Sequence, residues 1–517
     1  MSHVHTGCCG CHAPGIGRRS FFAAVGGTAL GTALAAHAGE SGAGAAGKRP
    51  RPAVSKRPLV VQPVLLYHLS EPREATSWRP WGGLGSRADV AEEGGRINAE
   101  LDALRGKAEF PLTILPLLGV TNAEEASRIR AVDCDVVITY AASGGGDALE
   151  TILASGRRNL VFVRHRSGPA YLWYEILHPR LLRKTVDEYG EPNLTTDDIV
   201  VDEMGDVIAR LRALYALKNT VGSRIVAIGG ASGWGQGGQA APALAREQWN
   251  LDIVDVSYDE LGKRIAAMQA DAAGMARYAR EAAEYLNLPA TLLETRGDFV
   301  TGAFLLDDLF RQLMDEACAT AITVNECMTT IIPMARTTAC LTLTLINDDG
   351  MLAFCESDFV VIPSGILLHH IASLPVFLQD PTYPHHGVVT LAHCTAPRRM
   401  DGVHLEPARI QTHFESDYGA APKVDMRIGQ VVTVLDPDFA SNRWLGFRGH
   451  IQDNPEMAIC RSQIDVGIDG DCGKLAEEMR GFHWMLAYGD HLAETGYALR
   501  KQGVGWYNLS PPATSVA

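Results

Sequence analysis

The stretch FCESD, Phe354 to Asp358, sets two carboxylates between a turn and the apolar run FVVIPSGILLHHIA. Read as a strand, its period of two turns Glu356 and Asp358 to one side and Ser357 to the other. Asp380 follows 24 residues after Glu356, past an apolar segment long enough for one helix, and His393 ends the strand-like VVTLAH. His483 opens a last segment, HWMLAYGDHLAETGYAL, whose spacing predicts a helix. Two acids and two imidazoles around an open position suit a divalent cation with mixed oxygen and nitrogen ligands. Such a centre suits proton transfer beside a carbonyl. A carboxylate on each side of the carbon pair can, as general base and acid, take a proton from carbon and return it one carbon away, while the ion offsets the charge that grows on oxygen.

These residues need elements that end near one another. In an α/β protein, strand-end acids and a strand-end histidine point into the crevice where ligands bind. PLVVQPVLLY, FPLTILPLLGV, DVVITYAA and NLVFVRHR read as strands by their β-branched content, with helical spacing in RINAELDALRGK and NAEEASRIRAV between them. A second series follows from Val221: strands in SRIVAIGG and LDIVDVSYDEL, one long helix in KRIAAMQADAAGMARYAREAAEYL, then a strand ending at Asn325-Glu326. After Gly350, DMRIGQVVTVLDPDF and RWLGFRGHI alternate as antiparallel strands do. The expected class is α/β. Two consecutive Rossmann-like domains, 58–220 and 221–345, precede a β-rich, α+β or barrel-like domain, 346–510, that carries most of the metal ligands.

Further residues are candidates for binding a substrate. Glu326 stands at a strand end. Arg398 and Arg399 in CTAPRRMDG, and His413 and Glu415 in THFESDYG, could line the same cavity. Trp484 and Tyr488 fall four apart, on one face of the expected helix, where Trp484 could stack on a ring. The glycine cluster IVAIGGASGWGQGGQ follows a strand, but no Gly-Lys-Ser/Thr follows it, and it reads as a turn touching substrate. His369, His370, His385 and His386 read as structural.

The N-terminus differs from the rest. Arg18-Arg19-Ser20-Phe21-Phe22 precedes an Ala/Gly-rich apolar stretch that ends on Ala36-His37-Ala38, which resembles a twin-arginine export signal over 1–38. A Gly/Ala/Pro/basic linker, 39–57, is expected to be disordered. Export would make the protein periplasmic or extracellular. Cleavage would remove two arginines and no acid, taking the net charge from −14 to −16. That sign gives nucleic acid no electrostatic attraction. No stretch in the body of the chain matches the roughly 18 apolar residues of a membrane span, so no membrane contact is expected once the signal is removed. Cys8, Cys9 and Cys11 would leave with the signal, and the other eight of the eleven cysteines form no CxxC pair.

CESD, VFLQDPTYP with VVTLAHCTAPRR, and GFHWMLAYGDH together resemble the L-fucose isomerase and L-arabinose isomerase family. The likeness runs from about residue 58 to 510 and is specific after Cys340, where CLTLTLINDDGMLAFCESD leads into the first carboxylate. It implies a divalent cation, usually manganese with magnesium or cobalt as alternatives, held by Glu356 and Asp380 with His393 and His483. His393 matches the arabinose branch and His483 matches both. Glu356 and Asp380 would also be the catalytic pair, although the arabinose branch has Glu-Asp where this chain has Gln379-Asp380. The resemblance further implies a homotrimer or hexamer. It implies aldose–ketose isomerisation of a free deoxy- or pentose-type sugar through an enediol. The alternative is an exported carbohydrate-binding protein on the same scaffold without catalysis.

Overall fold

The segment Leu59–Leu66 (β1), LVVQPVLL, is buried at all but its second residue, as a strand covered on both faces must be. The computed structural model describes residues 56–79, 82–182 and 190–511. The export motif, and the linker as far as residue 55, lie outside the described residues. Arg57 is described, and its backbone N–H donates to Asn219 Oδ1 at 2.9 Å.

Strand β1 pairs in parallel with β2 (Leu112–Ile114), β3 (Leu118–Val120) and β4 (Val136–Ala141). The sheet continues through β5 (Arg158–Val163) to β6 (Ile199–Val201), again in parallel. The second sheet is also parallel. It takes β7 (Arg224–Ile228) and β8 (Asp252–Val256), skips β9 (Thr291–Leu293), and adds β10 (Ala321–Val324) and β11 (Leu352–Cys355) in the order β11-β10-β7-β8. Strand β11, expected to open the C-terminal domain, therefore belongs to this sheet.

Next come β12 (Phe377–Pro381), β13 (Val388–His393), β14 (Ala408–His413), β15 (Tyr418–Val424), β16 (Val431–Asp436), β17 (Arg443–Asp453), β18 (Ser462–Asp469), β19 (Trp484–Tyr488) and β20 (Gly505–Asn508). Six of them close a barrel of antiparallel neighbours in the order β16-β19-β12-β13-β18-β17 and back to β16. Strand β20 joins β17 in parallel outside the ring, and β9, β14 and β15 form a small separate sheet. The chain is thus mixed α/β, with parallel sheets first and a closed antiparallel barrel last. Phe377, Leu391, Val434, Phe447, Val466 and Trp484 belong to the barrel's apolar core.

Two expected helices differ in the structure. The long one after Gly262 is two, Tyr258–Ala270 and Ala272–Leu286, because the Asp271 side chain caps the second by accepting from the Ala273 N–H. The segment from Trp484 is strand β19, and a helix, Leu492–Lys501, begins only after it. The expected helix between the acids is present as Ile362–Ala372, buried on every side. Among the described residues no single helix is long and apolar enough to cross a membrane.

Candidate metal centre

Parallel strand β11 stops at Cys355, and the next two residues take left-handed backbone, φ 62° at Glu356 and 47° at Ser357. A non-glycine residue there costs about 1–3 kcal/mol and persists only where its surroundings fix it. Here they do. The Ser357 N–H donates to Thr323 Oγ1, its carbonyl accepts from the Ser232 N–H, and the Ser232 carbonyl accepts from Phe359. The acids thus come together through a tight turn rather than through strand alternation. The same stitching brings the glycine-rich loop after β7 against the turn, and Trp234 in that loop donates its indole N–H to Glu356 Oε2 at 2.6 Å.

The barrel supplies the other side chains from the ends of three adjacent strands. Asp380 on β12 stands opposite Ala392, the neighbour of His393, and Gln379 stands opposite Trp484, the neighbour of His483. His483 lies at the centre. Its Nδ1 is 2.7 Å from Asp358 Oδ2, and its Nε2 is 3.2 Å from Asp380 Oδ1 and 3.5 Å from Glu356 Oε2. His393 Nε2 is 3.6 Å from Glu356 Oε1, while its Nδ1 lies 3.0 Å from Thr395 Oγ1. Gln379 falls on the opposite face of β12 from Asp380 and is fully buried, its amide against the Phe377 and Trp484 carbonyls. It does not take the place of a ligand acid.

Glu356, Asp358 and Asp380 bring three carboxylates, and among the described residues their ion pairs run to His393 and His483. Burial would push the Glu356 carboxyl up, but His393, His483 and the Trp234 N–H outweigh it and hold it down at about 2. Burial would likewise lower His483, yet Asp358, Asp380 and Glu356 raise it to about 10. With Nδ1 held by Asp358, Nε2 is the nitrogen turned to the other two acids. His393 is raised as well, with burial opposing Glu356 and Asp380.

Asp380 Oδ1, His393 Nε2 and His483 Nε2 are buried and make no well-angled hydrogen bond. Together they form a group able to hold a cation, and Cys355, Glu356 and His393 form a second. Buried donor atoms that converge without partners, in a net-negative pocket, fit a divalent ion with oxygen and nitrogen ligands.

The remaining expected binders divide. His413 is buried beside the centre, where burial and the His393 and Arg461 charges push it down to about 4. Glu415 lines a cavity of about 300 Å³ that reaches Asp380, Phe414 and Cys460. Glu326, with φ 44°, is exposed at the end of β10, on the same carboxyl edge of the sheet as Glu356.

Arg398 is not at the site. It is fully buried, donates from Nε to the Glu406 carbonyl, and lies over the Tyr285 ring. Trp484 is not there either. It points into the barrel and packs edge-on against Phe447 at 6.0 Å. A spacing of four puts Trp484 and Tyr488 on one face of a strand as readily as of a helix.

The aromatic surface beside the acids is instead Trp234, stacked on Phe482 at 4.3 Å, with the two about half exposed. Sequence reasoning passed over Trp234, Phe482 and the role of Asp358. The available signal was a tryptophan placed inside a glycine-rich loop after a parallel strand. No known family model matches this chain, and no curated protein matches it.

Proposed function

We propose that this chain is a metal-dependent aldose–ketose isomerase acting on a free deoxy- or pentose-type sugar. One observation carries the reading: Glu356 and Asp380 flank His483 in a pocket of unpartnered donor atoms, at the positions where the motifs resemble the L-fucose and L-arabinose isomerase family. Glu356, Asp380, His393 and His483 would hold the cation, with manganese first and magnesium or cobalt as alternatives. When bound, it would offset negative charge on the sugar's adjacent carbonyl and hydroxyl oxygens.

The chain's own residues would do the rest. Glu356, at the edge of the pocket beside His393 and His483, would take the proton from the carbon beside the carbonyl, which gives an enediol. The proton returns to the neighbouring carbon, and Asp380, on the other side of His483, exchanges the hydroxyl proton between the two oxygens. Asp358 holds the His483 ring through Nδ1 and so directs Nε2 at the centre. The half-exposed Trp234 and Phe482 pair offers an aromatic face to the apolar side of the sugar.

The reading includes two Rossmann-like halves, export by the twin-arginine route, and a homotrimer or hexamer. Its test is the metal content of purified protein together with interconversion across a panel of aldoses. Turnover should need the metal, and E356Q should abolish it with the fold intact. Bound metal without turnover on any sugar would favour an exported binding protein instead, and wild-type rates in E356Q would remove Glu356 from the mechanism.

A further inference from the structure

Neighbouring residues in a strand face opposite ways, so Cys355 and Glu356 should not share a ligand. The left-handed backbone at Glu356 breaks that alternation, and atoms of Cys355, Glu356 and His393 all lie within 4.8 Å of one another. His393 Nε2 is buried without a hydrogen-bond partner, and Cys355 is only 4% exposed. Two ligands each about 2.1 Å from a tetrahedral ion stand roughly 3.4 Å apart. Glu356 Oε1 and His393 Nε2 stand 3.6 Å apart.

The two acids and two histidines of the proposed centre are oxygen and nitrogen donors, and sulfur changes what the pocket selects. We propose that Cys355, Glu356 and His393 form a second cation site that overlaps the proposed centre through Glu356 and His393 and takes a thiophilic divalent ion such as zinc or cadmium. The thiol releases its proton to solvent on binding. The Cys327 sulfur, 3.7 Å from that of Cys355, can then donate its S–H to the new thiolate, as outer-shell groups do around metal ligands. With Nδ1 turned to Thr395, His393 has one nitrogen to give. The two sites therefore exclude one another, and a thiophilic ion displaces manganese by withdrawing the shared Glu356 and His393 from it.

The test uses the full chain with Cys8, Cys9 and Cys11 replaced by serine; the Cys340, Cys394 and Cys460 group stays, and C355S separates its thiols from that of Cys355. Metal-free protein is loaded with cobalt, and the thiolate-to-cobalt absorption in the near ultraviolet is recorded. The expected result is a band in the parent that is lost in C355S and kept in C327S and D380N. A parent without the band, or a band that survives in C355S, overturns the proposal. Should C355S fail to fold, X-ray absorption of the cadmium-loaded parent decides. One sulfur among oxygen and nitrogen neighbours upholds the site, and a shell without sulfur removes it. These spectra read the ion's neighbours and no sugar. An inactive chain with the band leaves the proposal standing, and an active chain without it loses the proposal alone.

Discussion

At the scale of single residues, two contacts lend themselves to measurement. Asp358 is 1% exposed and touches His483 from behind the centre. Replacing such a supporting carboxylate by its amide weakens metal binding by about 10–100-fold. D358N should show that loss in a manganese titration followed by electron paramagnetic resonance, with circular dichroism unchanged. Trp234 donates to an ionised acceptor but is about half exposed, so its hydrogen bond is worth about 1 kcal/mol. W234F should lower kcat/KM on the preferred sugar roughly fivefold; no change would show that the indole N–H does not position Glu356. Glu356, Asp380 and His393 stood out as acids and a histidine expected at strand ends, whereas His483, read as opening a helix, entered through the family resemblance. Their partners were not legible. Trp234 reaches Glu356 across 122 positions of sequence, and Asp358 reaches His483 across 125, and neither separation leaves a local pattern.

At the scale of elements, the helix Ile362–Ala372 lies between the strand that leads into Glu356 and the strand that follows His483. Gly365 makes that fit possible. A Cβ there would come within 2.5 Å of the Phe354 ring and 2.7 Å of the Met485 methyl. Phe354 is two residues before Glu356, and Met485 is two after His483. G365A should therefore cost about 1–3 kcal/mol by overpacking and also weaken manganese binding. Urea denaturation read alongside the metal titration checks both, and a loss of stability with unchanged affinity would show the strands moving together. Parallel strands with apolar runs were readable because burial on both faces removes the polar alternation. The same cause made β19 ambiguous: WMLAY is buried throughout, so period could not separate strand from helix. The expected boundary at 346 separated Leu352–Cys355 from β10, with which it pairs, because that pairing is a long-range choice the segment does not encode locally.

At the scale of the whole molecule, stability and the centre share supports. Asp436, at the end of β16, accepts the backbone N–H groups of Arg480 and Gly481, just before His483. Burial outweighs those two bonds and pushes its carboxyl from 3.8 up to about 7. Below pH 4 the folded and unfolded chains both hold this proton. From about 4 to about 7 only the folded chain does, so this group's contribution to stability falls as pH rises across that window, by up to about 4 kcal/mol. His369 and His413, each lowered to about 4 by burial first of all, slope the opposite way as their unfolded forms take up protons below 6.5. Comparison with D436N cancels that shared slope. The thermal midpoint of the variant should gain on the wild type between pH 4 and 7 and then run level with it, and a constant difference would remove Asp436 as the cause. The closed barrel has a consequence in time as well as in space. Strand β19 completes the ring between β16 and β12, and it brings His483 in only after every other donor residue has been translated. A chain on the ribosome therefore holds Glu356, Asp380 and His393 before it holds all four residues of the proposed centre, which barrel closure completes.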